Sequence, residues 1–374
     1  MSLPLRLLPG AFFLGAAVLL AAPAGNRPPA GKTDWPLFRG NPQQTGVSAS
    51  PLPDRLAELW SFRIEDAFEN AAAVSGGVVY AGAMDEHLYA LDLASGRLKW
   101  KYKGGPFKSA PAFRGGSVYA GDLDGLLHCV DAARGVKRWT FETGAEVGGI
   151  NFAGDDVLFA SHDENLYCVN RDGALVWKFK TDGPIYGAPA VAHGKTFLVG
   201  CDSQMHVLDV TKGKEIRATH LGGQTSGSAC VAGDHLYIGT MRNEVKAINW
   251  KTGAVSWTFK PRRPQSFNAS PAATDKYVVI GCRDSRVYGL ERQTGKQAWS
   301  FLTGGHVDAS PVIAAGRVVV GSMDKNLYVL DLATGKLLQK VPLDGPVSAS
   351  AVVVEGKVIV GTQKGTLYCF GAKK

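Results

Sequence analysis

Short apolar runs of four to six residues, rich in Val, Ile, Leu and Tyr and separated by Gly, Asp or Ser, fill the chain from about residue 56 onward. Runs of that length bounded by turn residues read as strands and hairpins, not helices. In one stretch, Val307 to Gly335, a first strand is expected near Ala309 to Ile313 and a turn at Ala315-Gly316. A second strand follows from Arg317 to Gly321, and a third from Leu327 to Asp331 after a turn at Asp324. A fourth follows the turn Thr334-Gly335, which recurs as Ser95-Gly96, Arg134-Gly135, Asp172-Gly173, Lys212-Gly213, Thr252-Gly253 and Thr294-Gly295. Glycine there accepts positive φ without steric cost.

The four-strand unit repeats. The phrase from His87 to Trp100 returns from Asn326 to Gln339, and the position of Trp100 is held in turn by Trp60, Trp100, Trp139, Trp177, Arg217, Trp257, Trp299 and Gln339. The spacings are 40, 39, 38, 40, 40, 42 and 40 residues. Such a unit is too small to bury its own apolar face and must stack on its neighbours, as the blades of a β-propeller do. Turns at Asp85, Asp124, Asp163, Asp202, Asp284 and Asp324, with Arg242 and Lys364 in the same place, count eight inner three-strand sets. The first outer strand, around Trp60, precedes any inner set, and the last inner set ends at Phe370 with no outer strand after it. Joining the two ends removes the open edges and predicts an all-β, eight-bladed propeller of four-stranded blades with a composite last blade. The tryptophans are expected to dock each blade on the next, less well at Arg217 and Gln339. The turn aspartates are expected to serve their own turns.

Composition changes the picture in a few places. The length prior for 374 residues favours two or three domains, which a continuous repeat overrides. Arg6, the apolar run Leu7 to Leu20 and Ala22-Pro23-Ala24 have the three parts of a secretory signal peptide. The expected division is a signal peptide at 1–24, a linker or arm at 25–55 and the propeller at 56–374. The apolar run is shorter than the ~20 residues needed to cross a bilayer. The first cysteine is Cys129, so no lipid-attachment cysteine follows the leader. A soluble protein exported across the inner membrane to the periplasm or cell envelope is expected. A net charge of +8 is modest, and the only tight basic cluster is Lys260-Pro261-Arg262-Arg263, which argues against a nucleic-acid-binding stripe. Cys129, Cys168 and Cys369 occupy one repeat site, hence separate blades, so the six cysteines read as buried free thiols. Without Cys-x-x-Cys, a zinc ribbon or covalent haem has no support.

The run Asp331-Leu-Ala-Thr-Gly-Lys336 and the tryptophan that usually follows such a turn resemble the tryptophan-docking repeat of the pyrroloquinoline quinone (PQQ) propeller family. The resemblance covers roughly residues 56 to 370. The segment Asp34-Trp-Pro-Leu-Phe-Arg-Gly-Asn-Pro-Gln-Gln-Thr-Gly46 is similar to one that precedes the first blade in exported members. It is expected to anchor against the propeller, with plugging of the central channel as the functional alternative. The family holds quinoprotein dehydrogenases, which carry PQQ and Ca²⁺ above the channel, and non-catalytic scaffolds of the BamB type, from outer-membrane protein assembly. The resemblance alone does not choose between them. This chain lacks the adjacent cysteine pair and the long inserted loops of the quinoprotein alcohol dehydrogenases. Short loops leave little material to enclose a cofactor. The expected function is therefore non-catalytic binding of a protein or extended peptide, with no catalytic residue, cofactor or metal. PQQ with calcium belongs to the dehydrogenase alternative, and a carbohydrate or surface-polymer binder is the third.

Candidate binding residues follow from the repeat alignment. An apolar position at Phe68, Phe107, Val147, Ile185, Phe267, Val307 and Val347, with Ser226 the exception, reads as packing. The next position is irregular: Glu69, Lys108, Gly148, Tyr186, Gly227, Asn268, Asp308 and Ser348. Alternation along the innermost strand turns these residues toward the channel. Glu69, Lys108, Tyr186, Asn268 and Asp308 are thus candidate ligand contacts, against a solvated channel wall as the plainer reading. Arg262 and Arg263 are candidate contacts on an exposed loop.

Overall fold

The computed structural model describes Met1 and residues 34–373, so the expected signal peptide beyond Met1 and the start of the arm lie outside the described residues. Eight antiparallel sheets form the blades. Blade 1 runs outward through Ala73–Ser75, Val78–Gly82, His87–Asp92 and Leu98–Lys103, and blades 2 to 7 repeat this order. Blade 8 combines Val352–Val354, Lys357–Gly361 and Thr366–Gly371 with the early strand Ala57–Arg63, which sets Trp60 opposite Cys369 and Phe62 opposite Leu367. Among the described residues no helix is long and apolar enough to cross a membrane.

The second and third strands of each blade are sandwiched by neighbouring blades, so they read as unbroken apolar runs; Val318, Val319 and Val320 are fully buried. Outer strands alternate exposed and covered residues, as in Leu337–Pro342. The innermost strands are shorter than expected. In blade 7 the strand is Val312–Ala314 and does not begin at Ala309, because the Ser310 N–H bonds to Ser350 of the next blade and Pro311 has no N–H.

Every outer strand carries a β-bulge immediately before its docking position, as between Leu98 and Trp100 and between Gln297 and Trp299. The bulge re-aims that side chain toward the following blade. There the indole N–H of Trp60, Trp100, Trp139, Trp257 and Trp299 donates to the carbonyl of Leu93, Ala132, Arg171, Arg292 and Leu332, at 2.8–3.0 Å. The Trp177 ring is placed in the same way over Gly213, but its N–H has no partner. Arg217 and Gln339 bring no indole to their seams, where other contacts are found. At the seam of blades 4 and 5, Trp250 of blade 5 lies with its ring 5.5 Å from that of Phe197 and its N–H on the Gly233 carbonyl at 3.0 Å. Gln339 bonds the backbone of Leu56.

The turn aspartates also do more than shape turns. Asp85, Asp163, Asp284 and Asp324 each accept the phenol O–H of the tyrosine four residues on. In blade 2 the acceptor is Asp122, not Asp124, and its partner is His128.

Residues 34–48 pass beneath the channel and touch the inner strands in succession. Trp35 exchanges two backbone bonds with Val74. The carbonyls of Pro36, Pro42, Gln43, Thr45 and Gly46 then accept the N–H groups of Phe113, Val191, Val231, Ala273 and Ile313, and Asn151 Nδ2 adds a bond to Pro42. Val47–Ser48 pairs in parallel with blade 7, making that sheet five-stranded instead of four. Ser48 Oγ ends the circuit on the Val353 carbonyl. One segment thus ties all eight blades together and lies across one end of the channel.

Candidate functional site

The inner lead-in segments leave a recess of about 220 Å³ on the propeller axis. One residue from each blade lines it at the irregular position: Glu69, Lys108, Gly148, Tyr186, Gly227, Asn268, Asp308 and Ser348. Most of these sit in the extended segment before the inner strand and not on the strand itself; Gly148 is the exception, because the inner strand of blade 3 spans Val147–Ala153. The preceding apolar side chains, such as Phe107 and Val307, are wholly buried between blades. Phe38 of the arm lines the recess from below.

Two polar groupings flank the recess. On one side His162 Nδ1 lies 3.2 Å from Glu146 Oε2, and the Tyr186 ring meets the imidazole edge-on with centroids 4.3 Å apart. Burial pulls the His162 pKa below its ordinary value, Glu146 opposes this and Lys108 reinforces it. His162 Nε2 has no partner. On the other side Arg283 forks onto Asp308 through Nε at 2.8 Å and Nη2 at 3.1 Å. The Asn268 amide, with its oxygen toward Arg283, accepts from the same guanidinium and donates to Ser266 Oγ.

Lys108 and Glu69 stand on adjacent blades, linked by Asn70 Nδ2 donating to the Lys108 carbonyl at 2.7 Å. Neither side chain is ion-paired among the described residues. A serine arc completes the wall: the N–H groups of Ala188, Ser228, Ser270 and Ser310 donate to the hydroxyls of Ser228, Ser270, Ser310 and Ser350, at 2.7–3.0 Å. His162 and Arg283 were not legible in the sequence, since they follow the second strand of their blades, and Glu146, two residues before Gly148, lies one step outside the aligned position. The serine arc had a signal in the recurring Ala-Ser-Pro phrase, which reads on its own only as an alignment mark.

Arg262 and Arg263 are exposed on the loop between the outer strand of blade 5 and the lead-in of blade 6. Their neighbour Lys260 is held by Glu244 at 2.7 Å. The structure therefore brings the five ring candidates together and leaves the two loop arginines apart from them.

A calcium ion with PQQ needs six to eight converging oxygens. Among the described residues no group of three or more His, Cys, Asp or Glu is placed to hold a metal ion. Asp308 is already engaged by Arg283, and the recess is smaller than the roughly 300–1,000 Å³ of pockets for drug-sized ligands. The residues present do not fit that group. The six cysteines are unpaired, and burial pushes Cys168, Cys230, Cys282 and Cys369 up to about 12, which keeps those thiols protonated.

A family profile described as outer membrane protein assembly factor BamB matches residues 54–148, 124–216 and 215–374. Outer membrane protein assembly factor BamB of Nitrosomonas eutropha is 28% identical over 113 residues, which is 30% of this chain and 27% of that protein. Quinohemoprotein alcohol dehydrogenase ADH-IIG of Pseudomonas putida is 26% identical over 152 residues, 34% of this chain and 21% of that protein. The chain thus spans about a quarter of the length of the curated relatives it matches. The crystal structure of BamB from Moraxella catarrhalis superposes with a TM-score of 0.72 at 17% identity, over 85% of this chain and all of that one, a likeness of fold. Eight docked blades, a composite closure and a profile match reaching from residue 54 to residue 374 place this chain in the PQQ-like propeller family of outer membrane protein assembly factor BamB.

Proposed function

We propose that the protein is a non-catalytic binding propeller of the cell envelope, exported and soluble, which holds a protein or extended peptide against the face on which the recess opens. The observation that carries this reading is the channel closed by its own arm. With Phe38 beneath it, the axis offers a small polar recess and not an enclosed cofactor chamber. The loop carrying the exposed, unpaired Arg262 and Arg263 leads into the wall of that recess. A rigid rim with a few such groups suits recognition through a handful of contacts.

The test is cross-linking in the native envelope, comparing wild type with Lys108→Ala/Asp308→Ala and Arg262→Ala/Arg263→Ala. Loss of a captured partner in either double variant supports the reading. Unchanged capture in both removes it. Dye-linked alcohol or sugar oxidation after loading with PQQ and Ca²⁺ assigns the protein to the dehydrogenase class instead.

A further inference from the structure

The serine arc is chemically unfinished. Each hydroxyl of Ser228, Ser270, Ser310 and Ser350 accepts a backbone N–H, yet its own hydrogen has no acceptor among the described residues. A serine hydroxyl carries one donor besides its acceptor sites. All four serines are more than nine-tenths buried and all four line the recess. Blades 5 to 8 therefore present a curved row of O–H donors with nothing in the protein to receive them. Buried donors without acceptors are costly and mark a place where another molecule belongs.

Across the recess stand the two unpaired charges, the Lys108 ammonium on blade 2 and the Glu69 carboxylate on blade 1. Of the other acids at the wall, Asp308 is matched by Arg283, and Glu146 has only the imidazole of His162 beside it. A simple anion would satisfy Lys108 and the hydroxyls but would meet Glu69, Glu146 and Asp308 on the same wall. A simple cation would leave the hydroxyl hydrogens and Lys108 unanswered. A molecule with a carboxylate and an ammonium side by side answers both sets. Its carboxylate accepts from Lys108 and the serine row, and its ammonium donates to Glu69.

The recess is about 220 Å³ and opens to one face, so it admits a molecule of amino-acid size. The Tyr186 ring, 45% exposed at the wall, gives a side chain an apolar surface. We infer that the channel recess is a binding site for a small zwitterion of the α-amino-acid type, held between Lys108 with the serine arc and Glu69. This site does not depend on the partner-binding reading.

The experiment is calorimetric titration of the purified chain with glycine, L-alanine, L-serine and L-glutamate. Acetate, methylammonium and glucose form the control arms. Saturable binding of at least one amino acid, with acetate and methylammonium at least tenfold weaker, is expected. Lys108→Met and Glu69→Gln alter exposed or half-exposed side chains outside the blade cores, and each should weaken that binding about tenfold or more, the usual effect of losing a charge-assisted hydrogen bond. Ser270→Ala, checked for folding by circular dichroism, should weaken it severalfold. The proposal is overturned if no amino acid binds at 10-millimolar order, or if Lys108→Met and Glu69→Gln bind like wild type. Glucose binding without amino-acid binding overturns it in favour of a sugar site.

Discussion

The side-chain amide of Gln339 bonds the backbone of Leu56 twice, its oxygen accepting the Leu56 N–H and its nitrogen donating to the Leu56 carbonyl, both at 2.8 Å. At six of the other seven seams a tryptophan in this position lies on the turn that joins the last two strands of the next blade, and at the seventh Arg217 does. In blade 8 those strands are Thr366–Gly371 and Ala57–Arg63, which no turn connects, so there is no turn glycine to cover. Gln339 grips the incoming strand instead. Gln339→Ala should cost about 1–3 kcal/mol, because it leaves two half-buried backbone groups unpaired. Urea denaturation checks this. An unchanged midpoint would show that the closure does not depend on this clamp.

Glycine at the other docking sites answers to two constraints, which substitution separates. Gly96 has φ +70°, and a Cβ there would lie 2.6 Å from the Trp60 ring. Gly76 has φ +57° and open space around it. Alanine at either position meets the left-handed penalty, about 1 kcal/mol. Only at Gly96 must the indole also move, adding about 1–3 kcal/mol. Gly96→Ala should be the more destabilising of the two and should alter tryptophan fluorescence, whereas Gly76→Ala leaves the spectrum unchanged.

The repeat made the ring readable, because the docking position recurs eight times at a period of about 40 residues, six times as tryptophan, and the inner three-strand sets count to eight as well. The unpaired outer strand at Trp60 made the closure readable in the same way. Features that depend on comparing blades in space were hidden. Asp122 takes the part expected of Asp124 because the turn in blade 2 folds so that Asp122 reaches His128. Trp250 packs on Phe197 across the seam of blades 4 and 5, a contact that no repeat position announces. The ring positions from Glu69 to Ser348 were legible through their alignment, but His162 reaches the recess, and Arg283 reaches Asp308, from turns whose separation in sequence says nothing of the channel.

His206 joins two acids inside blade 4, with Nε2 at 2.7 Å from Asp202 Oδ2 and Nδ1 at 2.6 Å from Glu215 Oε1. Only the imidazolium donates from both nitrogens. Burial opposes that charge, but the two carboxylates outweigh it and hold the His206 pKa above 6.5. A raised folded pKa contributes stability that is complete below about pH 6.5 and fades as pH rises through the folded value. Burial likewise raises the Asp202 pKa, and its bonds to His206 and Gln204 bring it below 3.8, so its contribution is present above about pH 3.9 and fades in acid. The cluster is therefore strongest from about pH 4 to 6.5. His206→Gln should lose more stability relative to wild type at pH 5.5 than at pH 8.5. Equal losses at both pH values would show that the charge is not involved.

Arg39 is the latch of the arm. Its side chain is wholly buried, and Nη2 donates to the carbonyls of Pro271 at 3.2 Å and Pro311 at 2.6 Å, on blades 6 and 7. Burial draws its pKa down to about 10, which leaves it charged at neutral pH. Gly46 makes room for it: a Cβ there would lie 1.9 Å from Nη2, and the residue has φ +65°. Arg39→Ala removes two charge-assisted bonds, each worth about 1.5–3 kcal/mol, and opens a void under the channel. The blades have their own sheets and docking contacts, so the loss should fall on the arm. Limited chymotrypsin digestion should then cut at Leu37 or Phe38 at least tenfold faster than in wild type, while circular dichroism reports intact strands. Gly46→Ala, which drives a methyl group into the same guanidinium, should release the arm in the same way. If both variants protect Phe38 as well as wild type does, the arm is held by its backbone bonds alone and the buried arginine is not what keeps the channel shut.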